Sequence, residues 1–459
     1  MLAVVSIAAA VHVLLTKRDS KAALAWVAFC LFLPLVGPLV YLVFGINRIN
    51  TRAQRNYLAN LEEDSSPAIS EPLGTALRPL SLVGEQLTGH GLRSCDSIEV
   101  LENGEALYPA MLRDINKATG KIYFSTYIFD NDSTGASFIE ALTAAKNRGV
   151  DVRIIVDGLG EFTSMRRIGR RLSDANLNYK RFNPITLIPP SLHVNMRNHR
   201  KILLIDSDVV FTGGQNIGDR HLVAQANNPK CTADLHFRLS GKIVDDFERA
   251  FLKDWHFCQG EKEIIAFEPS NPNLDQAEIW TRLIMDGPNE NLDRLNELLV
   301  GTLSVAKKRI WIMTPYFLPG ADLMGALLGA KLRGVDVKVF LPERINIPMA
   351  HWATQHSLPY IISKKISVYL QPAPFTYTKL LLIDDNYAMI GSANLDPRSL
   401  RLNFELGVEI FSAKLNQQLS QYVCARMDTA VKLDENTFVV RSFWKRIRNA
   451  VAWLFSPYL

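Results

Sequence analysis

The chain opens with two apolar stretches parted by a short charged segment. Residues 1–16 are apolar apart from Ser6, His12 and Thr16. Lys17-Arg18-Asp19-Ser20-Lys21 follows, and residues 22–45 carry no charge at all. About 20 apolar residues cross a bilayer as a helix. The pattern therefore predicts a transmembrane helical hairpin over residues 1–47, its first arm at the lower limit of length and its second open to kinking at Pro34 and Pro38. No basic segment precedes the first apolar run, which disfavours a signal peptide. Lys17, Arg18 and Lys21 are balanced by Arg48, Arg52 and Arg55, so the positive-inside count leaves the orientation open. Residues 48–90, rich in Asn, Arg, Glu, Ser and Pro, read as a linker.

Beyond residue 90 the pattern changes to short apolar runs alternating with helical periodicity, and it occurs twice. Ala145-Lys146-x-Arg148-Gly149-Val150-Asp151-Val152 returns as Ala330-Lys331-x-Arg333-Gly334-Val335-Asp336-Val337. Lys121 to Phe129 likewise resembles Arg309 to Phe317. Residues 137–148 read as a helix, and Gly149 and Gly334 suit helix C-termini. Strand, helix, strand in each copy predicts an α/β fold of two pseudo-symmetric halves, residues 91–270 and 271–440. Each half is expected to be a mixed, largely parallel sheet flanked by helices. A final segment, 441–459, combines Phe443, Trp444, Val451, Trp453, Leu454 and Phe455 with Lys445, Arg446 and Arg448. It is a short basic amphipathic helix, and two readings stand open: it lies in a lipid headgroup layer or docks on the protein's own core.

A more exact repeat lies inside the larger one. Residues 199–216 contain His199-x-Lys201, then Asp206, then Gly213-Gly214-x-Asn216. Residues 377–394 contain Tyr377-x-Lys379, then Asp384, then Gly391-Ser392-x-Asn394, at the same spacing. Alternation puts His199 and Lys201 on one face of a strand. The runs Ile202 to Ile205 and Leu380 to Ile383 are apolar throughout, as in strands buried on both faces. A lysine supplies charge and an asparagine a neutral donor, so Lys201 with Asn216, and Lys379 with Asn394, can meet one phosphate. One such half-site is weak evidence, but two with every spacing kept point to a composite active site.

These motifs resemble those of the phospholipase D superfamily. The flanking segments, Arg197 to Asp219 and Lys379 to Ile410, with the apolar N-terminus, are similar to bacterial cardiolipin synthases. The resemblance implies phosphatidyl transfer through a phosphohistidine. One motif histidine attacks the phosphodiester, the other motif's residue handles the proton of the departing and arriving alcohols, and no cofactor or metal takes part. It implies phosphatidylglycerol and other anionic phospholipids as partners, a bacterial inner-membrane location with more than one pass, and no nucleic acid. The catalytic set becomes His199, Lys201, Asp206, Tyr377, Lys379 and Asp384, with Asp206 and Asp384 bracing their half-sites. Glu405 and Asp234 become carboxylates that orient the catalytic groups, fixing an imidazole tautomer.

Composition changes little. Lys and Arg number 51 against 46 Asp and Glu, a mild excess that suits anionic lipid and lacks the basic stripe of a nucleic-acid binder. Five scattered cysteines form no zinc or disulfide pattern. Tyr377 changes more, because it stands where the resemblance expects a second histidine. Three readings follow: a working acid/base substitute with a pKa lowered by Lys201 and Lys379, a slow or selective enzyme, or a lipid-binding chain with little turnover. A phospholipase D that delivers lipid to water is the nearest alternative activity.

Overall fold

The computed structural model describes residues 2–17, 20–45, 73–163, 167–184, 186–187, 190–191, 196–225, 228, 231–260, 277–288, 292–435 and 442–456. The chain divides into two compact units, Met1–Glu63 and Asp64–Leu459.

The first unit is a helical hairpin of Leu2–Thr16 against Ser20–Phe32, followed by Val36–Val40 and a π-helical turn, Tyr41–Gly45. Val13, Ala23, Cys30 and Tyr41 form its small core, and His12 Nδ1 meets Tyr41 Oη at 2.7 Å. The long uncharged run is not one helix. It breaks after Phe32, beside Pro34, whose ring and missing N–H end a helical ladder. At about 1.5 Å per residue, neither arm approaches the roughly 30 Å of a bilayer core. Among the described residues no helix is long and apolar enough to cross a membrane, so the expected transmembrane hairpin and multi-pass topology do not emerge. The hairpin does leave Leu2, Val4, Ile7, Leu14, Leu15, Leu24 and Phe32 exposed.

The strands of the second unit, in chain order, begin with β1 (Arg93–Cys95), β2 (Ser97–Glu102), β3 (Lys121–Thr126), β4 (Asp151–Asp157) and β5 (Asn178–Phe182). Next come β6 (Ile202–Ile205), β7 (Val209–Gly213), β8 (Thr232–Ala233), β9 (Leu235–Ser240), β10 (Ile279–Asp286), β11 (Arg309–Met313) and β12 (Asp336–Pro342). The last are β13 (Ser367–Gln371), β14 (Phe375–Thr376), β15 (Leu380–Ile383), β16 (Tyr387–Gly391), β17 (Glu405–Phe411) and β18 (Val431–Lys432). One sheet runs β2-β9-β7-β6-β3-β4-β5, the other β1-β10-β17-β16-β15-β11-β12-β13-β18. The duplication in sequence is a duplication in space: β3-β4-β5 with the hairpin β6-β7 matches β11-β12-β13 with β15-β16.

Both sheets are mixed, but not largely parallel. Among the described residues of these two sheets only β3-β4-β5 and β11-β12-β13 run parallel, and the other pairings in them are antiparallel; the two-residue strands β8 and β14, one from each half, pair parallel outside them. Helices Ser133–Asn147 and Ala321–Leu332 make the crossovers that parallel strands require, while the motif folds back as a tight hairpin, which can only be antiparallel. Gly149 and Gly334 close those helices with φ of 92° and 89°, the left-handed conformation expected of them.

Two expected boundaries shift. Within the stretch read as linker, Arg78–Thr88 is a helix with proline in its first turn and Gly89 in the left-handed region behind it. Its Leu80 is buried against the second sheet, and Ser81 O accepts from Arg282 Nη1 at 3.0 Å. Proline punctuates a sequence whether it ends an element or starts one, so the polar composition hid the helix. Residues 48–72 lie outside the described residues. Similarly, β1 comes from the first half of the sequence yet pairs with β10 of the second sheet.

Candidate active site

The two motif hairpins approach each other at the junction of the halves, and the backbone seam is built twice. His199 N donates to Phe404 O (2.9 Å), and Tyr377 N donates to Ala233 O (2.8 Å). In each case the next residue along the partner half is a buried carboxylate, Glu405 or Asp234.

His199 is held from both sides. Asn198 N donates to Asp157 Oδ2 (2.9 Å) and Asn198 Nδ2 to Asp254 Oδ2 (2.9 Å). The Arg200 guanidinium reaches Asp254 Oδ1 (2.6 Å), Asp286 O (2.8 Å) and Glu405 O (3.1 Å). These bonds fix the backbone on either side of His199, and the imidazole is oriented by its own contacts. Its Nδ1 meets Glu405 Oε1 at 3.2 Å, and the Tyr127 ring packs on it at 4.1 Å between centroids. Glu405 is itself fixed by Ser392 Oγ, which donates to Oε2 at 2.5 Å. Burial raises the Glu405 carboxyl pKa, but His199, Lys201 and Ser392 outweigh it and hold the group below its ordinary value. Burial, aided by Lys201 and Arg398, lowers the His199 pKa despite the opposing pull of Glu405. The ring is therefore neutral near pH 7, with Nδ1–H on Glu405 and the Nε2 lone pair open.

The second half-site has the same frame around a different ring. Tyr377 lines the cavity, edge-on to Tyr316 at 6.3 Å. Burial first, then Tyr316, Glu405 and Asp234, push its phenol well above 10. The expected lowering by the two lysines is overturned: desolvation of the phenolate dominates, and the carboxylates nearby raise it further. Asp234 shows what the substitution leaves behind. Its Oδ1 accepts from Leu235 N at 2.7 Å, while the buried Oδ2 makes no hydrogen bond of ordinary geometry among the described residues and has only the Thr378 hydroxyl nearby to favour its charge. Glu405 receives an imidazole N–H at the matching place, whereas the tyrosine ring carries no such donor. Burial accordingly raises Asp234 to about 6 against the pull of Lys379. The carboxylate also explains Gly214: a Cβ there would meet Asp234 Oδ2 at 2.3 Å.

The shared cavity holds about 200 Å³ and is lined by Tyr127, His199, Asn216, Arg220, His221, Tyr316, Tyr377, Asn394 and Arg398, among others. Both motif asparagines line it. Asn216 Oδ1 accepts from Ile128 N (3.1 Å), and Asn394 Nδ2 donates to Ser399 Oγ (3.2 Å). The motif lysines sit behind this wall. Lys201 Nζ donates to His199 O (2.7 Å) and Lys379 Nζ to Tyr377 O (2.5 Å). Burial lowers them to about 8 and about 7, and for Lys379 the charge of Lys201 adds to the effect.

Asp206 and Asp384 lie away from the cavity, at the far ends of β6 and β15. Asp206 accepts from Thr119 N, Gly120 N and Lys121 N at 2.8–2.9 Å. Asp384 accepts from Lys307 N, Lys308 N and Arg309 N. Each ties its motif hairpin to the loop before the neighbouring strand, so their contacts are structural. Sequence reasoning passed over Arg220, His221 and Arg398. Arg220 and Arg398 each stand four residues beyond a motif asparagine, a signal that was available. Arg220 pairs with Asp130 (2.5 Å). His221 Nε2 accepts from Asn216 N and its Nδ1 meets Thr232 O, both at 3.3 Å, and burial lowers it to about 3. Both of its nitrogens are used to shape the wall.

A family model described as cardiolipin synthase, PLD-like domain, matches residues 111–255 and 299–427, and one described as phospholipase D-nuclease N-terminal matches residues 4–45. The chain is 29% identical to the major cardiolipin synthase of Bacillus subtilis, over 96% of this chain and 95% of that one. It is 30% identical to the cardiolipin synthase of Geobacillus thermodenitrificans, over 97% and 90%. Among solved structures, phosphatidylserine synthase of Haemophilus influenzae superposes with a TM-score of 0.64 at 16% identity, covering 83% of this chain and 100% of that one. Polyphosphate kinase of Porphyromonas gingivalis gives 0.51 at 15%, covering 83% and 55%. At those identities the structural likeness is one of fold.

Proposed function

The chain belongs to the PLD-like cardiolipin synthase family, and from that premise we propose that it transfers a phosphatidyl group between two phosphatidylglycerol molecules, giving cardiolipin and glycerol. The observation that carries the reading is the His199–Glu405 pair, formed across the two halves at the wall of one cavity.

His199 Nε2 attacks phosphorus, the P–O bond to the headgroup glycerol breaks, and a phosphohistidine forms. Glu405 stabilises the cation that develops on the imidazole. Tyr377 gives its proton to the departing glycerol oxygen. In the second step the free hydroxyl of another phosphatidylglycerol attacks phosphorus, the P–N bond breaks, and the Tyr377 phenolate takes the acceptor's proton. The atoms balance without a further reactant. Lys201, Lys379, Asn216 and Asn394 supply the donors for the phosphoryl oxygens, and Arg220 and Arg398 suit the second anionic lipid. A phenol far above 10 parts with its proton late, so turnover is slow for the family. The apolar hairpin of residues 2–45 attaches the protein to the bacterial membrane through its exposed side chains.

Tyr377 also favours a second reading, a chain that holds lipid with little turnover. Purified protein in detergent–lipid micelles with headgroup-labelled phosphatidylglycerol separates the two. Glycerol and cardiolipin released in equal amounts, and both lost in His199→Ala, support the synthase. Glycerol alone identifies a hydrolase. Absence of both products in the parent, restored by Tyr377→His, identifies the lipid-holding chain.

A further inference from the structure

Helix Phe443–Leu454 packs on helix Pro348–Ser363 the wrong way round for a water-soluble surface. The side it turns to the protein carries Asn449 and Ala452, its buried residues, with Arg448 over the Trp352 ring at 4.5 Å and the half-exposed Trp453 against the His356 ring at 5.1 Å. Its other large apolar residues face outward. Phe443, Trp444, Ile447, Val451, Leu454 and Phe455 are all exposed, Trp444 to 75% and Leu454 to 68%. At about 100° per residue these six fall within an arc of about 120°. An ordinary amphipathic helix buries that stripe in the core.

The neighbouring helix extends the surface to the cavity. Ile347 and Met349, at its N-terminal end, are also exposed, and Asn346, Ile347 and Ala350 form part of the cavity wall. One apolar platform thus reaches from the C-terminal helix to the rim of the candidate active site. Arg446 and Arg448 flank the stripe, Lys445 adds a third cation in the first turn, and residues 442–456 contain no acidic residue. A second copy would bring the same cations against these and be repelled, whereas an anionic surface complements them.

We infer that helix Phe443–Leu454 and the adjoining end of Pro348–Ser363 form a docking platform for an anionic phospholipid bilayer, which holds the cavity mouth against the headgroup layer. The platform would give the site direct access to lipids that never leave the membrane. The inference rests on the lipid-transfer reading for its purpose, but not for its detection.

Hydrogen exchange on the full-length protein tests docking directly. Vesicles of phosphatidylglycerol should slow exchange in residues 443–455, and vesicles of phosphatidylcholine should not. The triple variant Ile447→Asp, Val451→Asp, Leu454→Asp should lose that protection. It should also turn over phosphatidylglycerol in vesicles at least about tenfold more slowly than the parent, while matching the parent on a short-chain phosphatidylglycerol dispersed below its micelle concentration. The N-terminal hairpin keeps the variant on the vesicle, and the short-chain assay reports that it is folded. Exchange in 443–455 that ignores phosphatidylglycerol vesicles overturns the platform, as does unchanged turnover of vesicle lipid by the variant. A parent dimer abolished by the triple substitution, with exchange insensitive to lipid, assigns the face to self-association instead. If the parent turns over neither substrate, the transfer reading fails, and the exchange result still decides docking.

Discussion

In the proposed transfer the rate depends on Tyr377. Its ring has no donor for the buried Asp234 Oδ2, and burial holds its proton tightly. Tyr377→His should therefore speed glycerol release by one order of magnitude or more, within the roughly 10²–10⁴ that matched acid–base groups contribute. Tyr377→Phe should lose most of the parent's turnover. A histidine variant no faster than the parent would remove residue 377 from the proton transfer. Glu405→Gln is a sharper probe of the other half-site. An amide facing His199 favours the wrong tautomer, with the proton on Nε2, so kcat should fall by about 10²–10⁴. The pH profile of the parent follows from the same groups. Acid protonates Nε2 and removes the nucleophile, and because the His199 pKa lies below 6.5 that limb should sit below pH 6.5. Base discharges Lys379 and then Lys201, from about 7 and about 8, so inhibition by sulfate, which does not titrate there, should weaken as pH rises from 6 to 9. Sulfate inhibition flat across that range would take the lysines out of anion binding.

At the scale of elements, the motif repeat was legible because rigid, doubly buried hairpins carry it. Ile202–Ile205 and Leu380–Ile383 are buried at every position, and their spacing to Lys201, Asn216, Lys379 and Asn394 cannot drift. Groups contributed by another element were harder to see. Glu405 reaches His199 from β17 of the opposite half, and only the family resemblance suggested a role for it. The mostly antiparallel pairing was missed because strand–helix alternation marks the crossovers and is silent about hairpins. Helix Arg78–Thr88 was missed because its partners are remote in sequence. One of them, Arg282, is almost fully buried, with Nη1 on Glu409 Oε2 (2.8 Å) and Ser81 O, while Tyr387 donates to Glu409 Oε1 (3.0 Å). Removing one member leaves the others desolvated and unpaired. Glu409→Ala should lower the unfolding free energy by about 3–5 kcal/mol, read by chemical denaturation. A loss under about 1 kcal/mol would mean that water or a repacked side chain replaces the carboxylate.

At the scale of the molecule, each half completes the other's site, and the exchange is symmetric in backbone but not in charge. Glu405 lies against an imidazole; Asp234, at the matching place, has no imidazole N–H to receive. That asymmetry predicts a coupling between residues 234 and 377. Asp234 is buried with a folded pKa of about 6, above its ordinary 3.8. A carboxyl raised in the folded state destabilises it above that pKa, and the cost fades as pH falls toward the unfolded value. At pH 7 the shift corresponds to about 3 kcal/mol, falling to about half that at pH 5. In the parent, Asp234→Asn should therefore stabilise the fold by about 1–3 kcal/mol at pH 7, less at pH 5, with little effect on turnover. In the Tyr377→His background the carboxylate acquires the N–H it lacks. There the same substitution should undo most of the gain in kcat and stabilise the fold much less. A double-mutant cycle on unfolding and glycerol release measures the coupling. Additive effects on both would show that Asp234 does not face residue 377 in the working enzyme. A coupling present in stability and absent in turnover would confine Asp234 to holding the halves together.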